Sequence, residues 1–296
     1  MHRFFLSQHD YHGLSVSRLL RMRARVLAKY AVQVATAPIL RRRSLRLLAQ
    51  MEGRENGQEA IIIALGPSAS KLDADRLAQR QRSGCRVISL NHYALSDLST
   101  IVPDYYVLAD PHFFNTIGSR EEAVWAYIKA HPSITLFLPD RYEIPINLPP
   151  ERIRRFNGLG LEGFTRNISP LRPRGFLSMT AYHALSLAGF LGFSRILIIG
   201  MDNDRFRAVA LTEDRAVGVR PHHFFDNGYA GVQRLDWLVG GMPAFFEDVA
   251  RLFGDLWLFT NLPIENLDPH TLVDAFPVAS DYRDFHTSDV NGNRSA

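Results

Sequence analysis

The 296-residue chain has a single cysteine, Cys85, which excludes an internal disulfide and fits a reducing compartment. It lacks an apolar stretch near the roughly 20 residues a bilayer span requires: Val26 to Leu40 is interrupted by Lys29, Gln33 and Pro38. No apolar core with a small-residue cleavage site stands near the amino terminus, so no secretory signal is expected. Between Tyr11 and Met51 there is no Asp or Glu. Several signatures are also missing. Ala64-Leu65-Gly66-Pro67-Ser68 lacks the second glycine of a dinucleotide fingerprint and the lysine of a Walker loop, and no Gly-X-Ser-X-Gly elbow is present. No Cys/His set of zinc type, internal repeat or low-complexity segment is found.

What is present is enough for a large core, since 46% of the residues are hydrophobic. The net charge is +4, but its excess lies in the acid-free window, which carries Arg18, Arg21, Arg23, Arg25, Lys29, Arg41, Arg42, Arg43 and Arg46. Arg18, Arg21, Arg25 and Lys29 follow helical steps, with Leu19, Leu20, Val26, Leu27, Tyr30 and Val34 supplying apolar surface. That is a basic amphipathic helix, broken at Pro38, and two readings stand for it. One is docking on anionic lipid headgroups; the other is a solvated arm packed on the domain or a partner. No nucleic acid is expected as a partner, because interleaved aromatics and a reader module are lacking. The expected location is the cytoplasm, peripheral on the inner membrane face; the Arg-rich, acid-free start also has the composition of an organelle transit peptide.

The run Glu59 to Ala64 reads as a fully buried parallel strand that stops at Gly66-Pro67-Ser68, after which Asp73 can cap a helix. Further strands are expected at Arg86–Leu90, Pro103–Ala109, Ile134–Leu138, Arg195–Ile199 and Leu256–Thr260. Helices are expected over about 120–130, 178–191 and 235–253. Alternation of this kind argues a Rossmann-like α/β fold, mostly parallel with helices on both faces. The divisions expected are an arm over 1–58, a catalytic domain over 59–279 with a lid at about 139–175, and a flexible tail over 280–296.

Ser68, Asn91, Asp110, Asp202 and Asn261 all stand where an expected strand stops. In a parallel sheet those ends share one edge, where a binding cleft forms, although polar residues after strands also serve as caps. Asn91 offers donors and acceptors for a base or ribose edge, or a cap for the segment at His92. Asp202-Asn203-Asp204 has the Asp-X-Asp form suited to Mg or Mn against a diphosphate. His222 and His223 are candidates for proton transfer near neutral pH, or a pair of surface-loop histidines.

The order of these motifs resembles the bacterial sialyltransferases of glycosyltransferase family forty-two and a related group of flagellin-modifying enzymes and hydroxymethylpterin diphosphokinases. The resemblance spans roughly Ala60 to Pro263. It is carried by Ile61 to Ser68, Ser89 to Tyr93, Asp110 to Phe114, Ser178-Met179-Thr180-Ala181, Ile198 to Asp202, and His223-Phe224-Phe225. The chain departs from the family at Ala64-Leu65-Gly66, at Asp110, and at Arg205-Phe206-Arg207. The resemblance implies a CMP-sugar donor lying across the strand ends, a glycan or lipid-linked acceptor, and no obligatory metal. It places Gly66, Pro67, Ser68 and Asn91 on the nucleotide, and Ser178 and Thr180 on the sugar carboxylate or phosphate. His223 becomes the base, and Arg172 or Arg174 the counter-charge to the leaving phosphate. The alternatives are a diphosphokinase using ATP and Mg through Asp202 and Asp204, and a non-catalytic nucleotide-binding scaffold.

Overall fold

A computed structural model describes residues 21, 24, 27, 28, 31, 32, 35, 45–115, 117–162, 165–220, 232–234 and 241–287. Five apolar-rich runs form strands β1 (Glu59–Ile63), β2 (Arg86–Leu90), β3 (Tyr105–Val107), β4 (Thr135–Pro139) and β6 (Arg195–Ile199). β5 (Ile153–Phe156) and β10 (Ile264–Asn266) complete a seven-stranded sheet in the order β10-β6-β1-β2-β3-β4-β5. Every pairing in it is parallel. The α/β Rossmann-like architecture expected from the sequence is therefore the architecture observed.

Both faces of the sheet are buried, so its strands show no polar alternation. Ala60, Ile62 and Ala64 enter one core while Ile61 and Ile63 enter the other. Helices α1 (Ala74–Arg82) and α2 (Ser119–Ala130) cover one face through Leu77, Val124, Trp125 and Ile128. Helices α3 (Thr180–Leu191) and α4 (Gly241–Leu256) cover the other through Leu187, Leu191, Leu252 and Leu256. The change of face follows the change of direction: the chain runs outward from β1 to β5, then returns to lay β6 on the far side of β1. Right-handed crossovers in opposite directions must put their helices on opposite faces. The switch point between β1 and β6 is where open α/β sheets form their crevice.

Four expectations are corrected. Leu256–Thr260 is the end of α4 and a 3-10 turn over Trp257–Phe259, and the strand is Ile264–Asn266 instead. A short apolar run reads alike as strand or buried helix end, and here it continues the amphipathic face of α4. The lid segment contributes β5, a sheet edge whose Arg154 and Arg155 hid it from a hydrophobic reading. The arm does not extend to residue 58: Leu48 and Met51 are buried in the core, and Glu55 holds Arg86 and Tyr105. Nor is the tail free from residue 280. Buried Phe285 fills the second core, and Thr287 N–H donates to the Lys71 carbonyl at 3.0 Å. A separate antiparallel sheet of β7 (Val209–Leu211), β8 (Val217–Val219) and β9 (Gln233–Arg234) was not anticipated. Among the described residues, no helix is long and apolar enough to cross a membrane.

Candidate functional site

The turns after β1 and β6 are joined by four backbone and side-chain hydrogen bonds. Ala64 N–H donates to the Ile199 carbonyl and Gly66 N–H to the Gly200 carbonyl, each at 2.8 Å. Gly200 N–H donates to Ser68 Oγ at 2.9 Å, and Ser68 N–H donates to Asp202 Oδ2 at 2.9 Å. Glycine is required at both turns by close approach. A Cβ on Gly66 would lie 2.4 Å from Asp202 Oδ2 and 2.6 Å from the Gly200 carbonyl oxygen. Gly200 has φ +74 and its Cβ would lie 2.4 Å from the Ala64 carbonyl oxygen.

Gly66, Pro67, Ser68 and Asp202 are thus brought together as expected, but Ser68 and Asp202 are engaged with each other. Pro67 opens a 3-10 turn over Pro67–Lys71, and the Asp202 carboxylate takes the Ser68 amide that an external anion would use. Burial raises the Asp202 pKa above the ordinary carboxylate range, against the lowering effect of the Ser68 hydrogen bonds. Asp204 and Asp268 add repulsion in the same direction. Asp268 is itself held by Lys71 Nζ at 2.8 Å.

Asp202 and Asp204 lie close enough for the Asp204 charge to raise the Asp202 pKa. Asn203 between them has φ +53, which turns the chain, and the Asp204 carbonyl accepts from Arg207 N–H. Among the described residues, no group of three or more His, Cys, Asp or Glu side chains is arranged to hold a metal. Asn203 Nδ2 reaches the Tyr182 hydroxyl at 3.3 Å, and Tyr182 donates to the Leu252 carbonyl, so the β6 turn is tied to α3 and α4.

Asn91 ends β2 in the left-handed region, with φ +38, and its carbonyl accepts from the Tyr106 hydroxyl at 2.6 Å. The 3-10 turn over Asn91–Leu95 has Leu90 as its N-cap residue, so Asn91 does not stand at the capping position. Its Oδ1 is buried without a partner among the described residues, a state that costs about 1–3 kcal/mol unless a ligand or water satisfies it.

Asp110 goes the other way. Its Oδ1 accepts from His112 N–H at 3.0 Å, which makes it the cap of the helical turn His112–Asn115. Arg174 is engaged within the protein rather than open at the strand ends. It is buried at 7% exposure, and its guanidinium donates to the Phe176 carbonyl, the Gly158 carbonyl and, at 2.7 Å, Glu162 Oε1. A buried fork with three bonds of this kind ties together the segment between β5 and α3.

Ser178 is exposed and Thr180 begins α3, whose N-cap residue, Met179, provides no side-chain cap. The uncapped amides point to the carboxyl edge of the sheet, because α3 runs antiparallel to the strands it covers. In the same turn His183 is buried against Phe156 and Phe176, with ring centroids 4.5 and 5.4 Å away. Burial, with Arg174 and Arg141 nearby, holds its pKa well below 6.5. Arg141, just past β4, is exposed and rests on the Tyr142 ring at 4.7 Å. Neither Arg141 nor Asn203 was assigned a role from the sequence, although each follows an expected strand. Asn261 is exposed beyond α4, so Asn266 and Asp268 mark the end of β10 instead. His222 and His223 lie outside the described residues.

No family model, no curated protein and no solved structure matches the chain.

Proposed function

We propose that the chain is a glycosyltransferase moving an acidic, sialic acid-like sugar from a CMP donor to a glycan or lipid-linked acceptor. The observation that carries this reading is the buried, unpartnered Asn91 Oδ1 at the end of β2, the strand that flanks β1 on the side opposite β6. A nucleoside presents ribose hydroxyls and, in cytosine, an exocyclic amine, all of them donors to that oxygen. The uncapped amino end of α3 and the cation of Arg141 supply positive potential for the phosphate or the sugar carboxylate. CMP as the donor nucleotide rests on the resemblance of motif order.

In this reaction the acceptor oxygen bonds to the anomeric carbon as the bond from that carbon to the phosphate oxygen breaks. CMP leaves with the electron pair, and His223, or its neighbour His222, takes the acceptor proton. The basic arm keeps the protein peripheral on an anionic cytoplasmic membrane face.

The test is a thermal-shift series with CMP, CDP, UDP and ATP, each with and without Mg, on the wild type and on Asn91→Gly. CMP or CDP should raise the melting temperature without Mg, less so in the variant; a ligand at 100 times its Kd stabilises by about 2.7 kcal/mol. A response to ATP that requires Mg would replace this reading with the diphosphokinase. No response to any nucleotide would refute both.

A further inference from the structure

We propose that the amino edge of the sheet faces an anionic bilayer, so that the candidate site at the carboxyl edge is held away from the lipid and takes an acceptor that extends beyond the headgroups. This rests on the reading of the basic arm as a lipid-binding element.

The arm's described residues Arg21, Ala24, Leu27, Ala28, Ala31, Val32 and Ala35 are all helical and exposed, Leu27 at 46% and Val32 at 62%. Ala24, Leu27, Ala28, Ala31 and Ala35 recur at three- and four-residue steps and form one stripe. The acid-free window around them matches a negatively charged surface in sign.

The chain leaves the arm and enters the domain at the amino edge. Met51 Sδ lies 3.1 Å from Arg154 Nε in β5. Glu55 accepts from Arg86 at the start of β2 at 3.1 Å and from the Tyr105 hydroxyl at the start of β3 at 2.5 Å. Gly53 and Glu55 amides donate to the Phe190 and Leu191 carbonyls at the end of α3. With Leu48 and Met51 buried, the arm is anchored to this edge of the sheet.

Two large apolar side chains are exposed at the same edge. Leu47 is 42% exposed beside the arm, and Trp257 is 52% exposed where α4 ends, just before Pro263 leads into β10. An indole at such a position suits the headgroup level, where one part is apolar and the other wet. The acids at the strand starts are paired but outnumber the arginines that hold them, so attraction to an anionic surface falls to the arm. Glu59, Glu265 and Asp281 pair with Arg195, and Glu55 and Asp104 with Arg86.

β1 and β6 each have five residues, so the carboxyl edge stands at least about 17 Å beyond the amino edge. A sugar attached directly to a membrane lipid would lie on the wrong side of the domain. An acceptor glycan several residues long would reach.

The experiment uses the full chain with phosphatidylcholine vesicles, with and without phosphatidylglycerol, and phosphatidylcholine brominated in its acyl chains as a quencher of tryptophan emission. Wild type should sediment only with anionic vesicles. Replacing Arg18, Arg21, Arg25 and Lys29 by Gln should weaken binding by roughly fivefold per charge, and Leu47→Asp should weaken it further. In bound wild type the brominated lipid should quench emission, Trp257→Phe should lose most of that quenching, and Trp125→Phe, which replaces a buried indole of the second core, should keep it. Absence of anion-dependent sedimentation overturns the arm reading and the orientation together. Sedimentation with equal quenching in Trp257→Phe overturns the orientation alone.

Discussion

Replacing Gly66 by Ala tests whether the β1 and β6 turns are held together as described. The added methyl would stand 2.4 Å from Asp202 Oδ2 and 2.6 Å from the Gly200 carbonyl oxygen, where essentially no real contact occurs. The carboxylate can rotate away, but the carbonyl is backbone, held by the Gly66 amide itself at 2.8 Å. The two turns must separate. That removes the Gly66 to Gly200 bond, worth about 0.5–1.5 kcal/mol, and weakens the charge-assisted Ser68 to Asp202 bond, worth about 1.5–3 kcal/mol. The expected loss is about 2–4 kcal/mol, or about 5–15 °C in melting temperature for a domain of this size. Urea unfolding of wild type and variant, with the slope compared, measures the loss directly. A midpoint within about 1 kcal/mol of wild type would refute the close approach. A double cycle with Asp202→Ala adds a second check, since residues in contact do not contribute independently.

Asp202→Asn keeps an acceptor for Ser68 N–H while removing a buried charge. Because the Asp202 pKa is raised in the folded state, its protonated form is stabilised below the ordinary aspartate value of 3.8, and that contribution is lost as pH rises through the folded pKa. The variant should therefore match or exceed wild-type stability at pH 7 and lose that advantage toward pH 4; chemical unfolding at both values decides it. Asn91→Gly relieves a left-handed residue costing on the order of 1 kcal/mol but adds a similar glycine entropy cost. Its melting temperature should stay near wild type while nucleotide affinity falls about 3- to 10-fold, measured by calorimetry. His183 is held neutral, so stability is fully present above its unfolded value of about 6.5 and declines as pH falls below it. His183→Phe should flatten that acid limb in melts from pH 7 to 5. Burial pushes the Cys85 thiol up to about 12, so alkylation at pH 8 should be slow in the native protein and fast in urea.

Those parts of the fold with strong local signals were legible in the sequence. Ile61 to Ala64 and Ile196 to Ile199 are apolar on both faces, a pattern only a buried strand needs, and Asp73 caps α1 through the Asp75 and Arg76 amides as its position suggested. β5 was not legible, because an edge strand with Arg154 and Arg155 carries no hydrophobic period. At the site, the sequence placed Ser68 and Asp202 at one edge but not in mutual contact, since nothing local encodes a bond across 134 residues. Asp110 read as a ligand residue because an Asx cap and a ligand aspartate look alike from sequence. Arg174 misled for a related reason: an arginine in an irregular segment shows its charge but not the buried carbonyls it binds.

The position of β6 also bears on how the protein is made. β1 lies inside the sheet, yet its second neighbour is not synthesised until about 130 more residues have followed it. At ~5–20 residues per second, the interval on the ribosome is on the order of ten seconds. During it, the run Ala60-Ile61-Ile62-Ile63 has an open backbone edge on one side, with one of its two faces awaiting α3. Pairing at such sequence separation is slow, so the nascent half-sheet is the species most prone to aggregate. Co-expression with a chaperone should therefore improve the yield of full-length protein more than a lower growth temperature would for a domain built from local contacts.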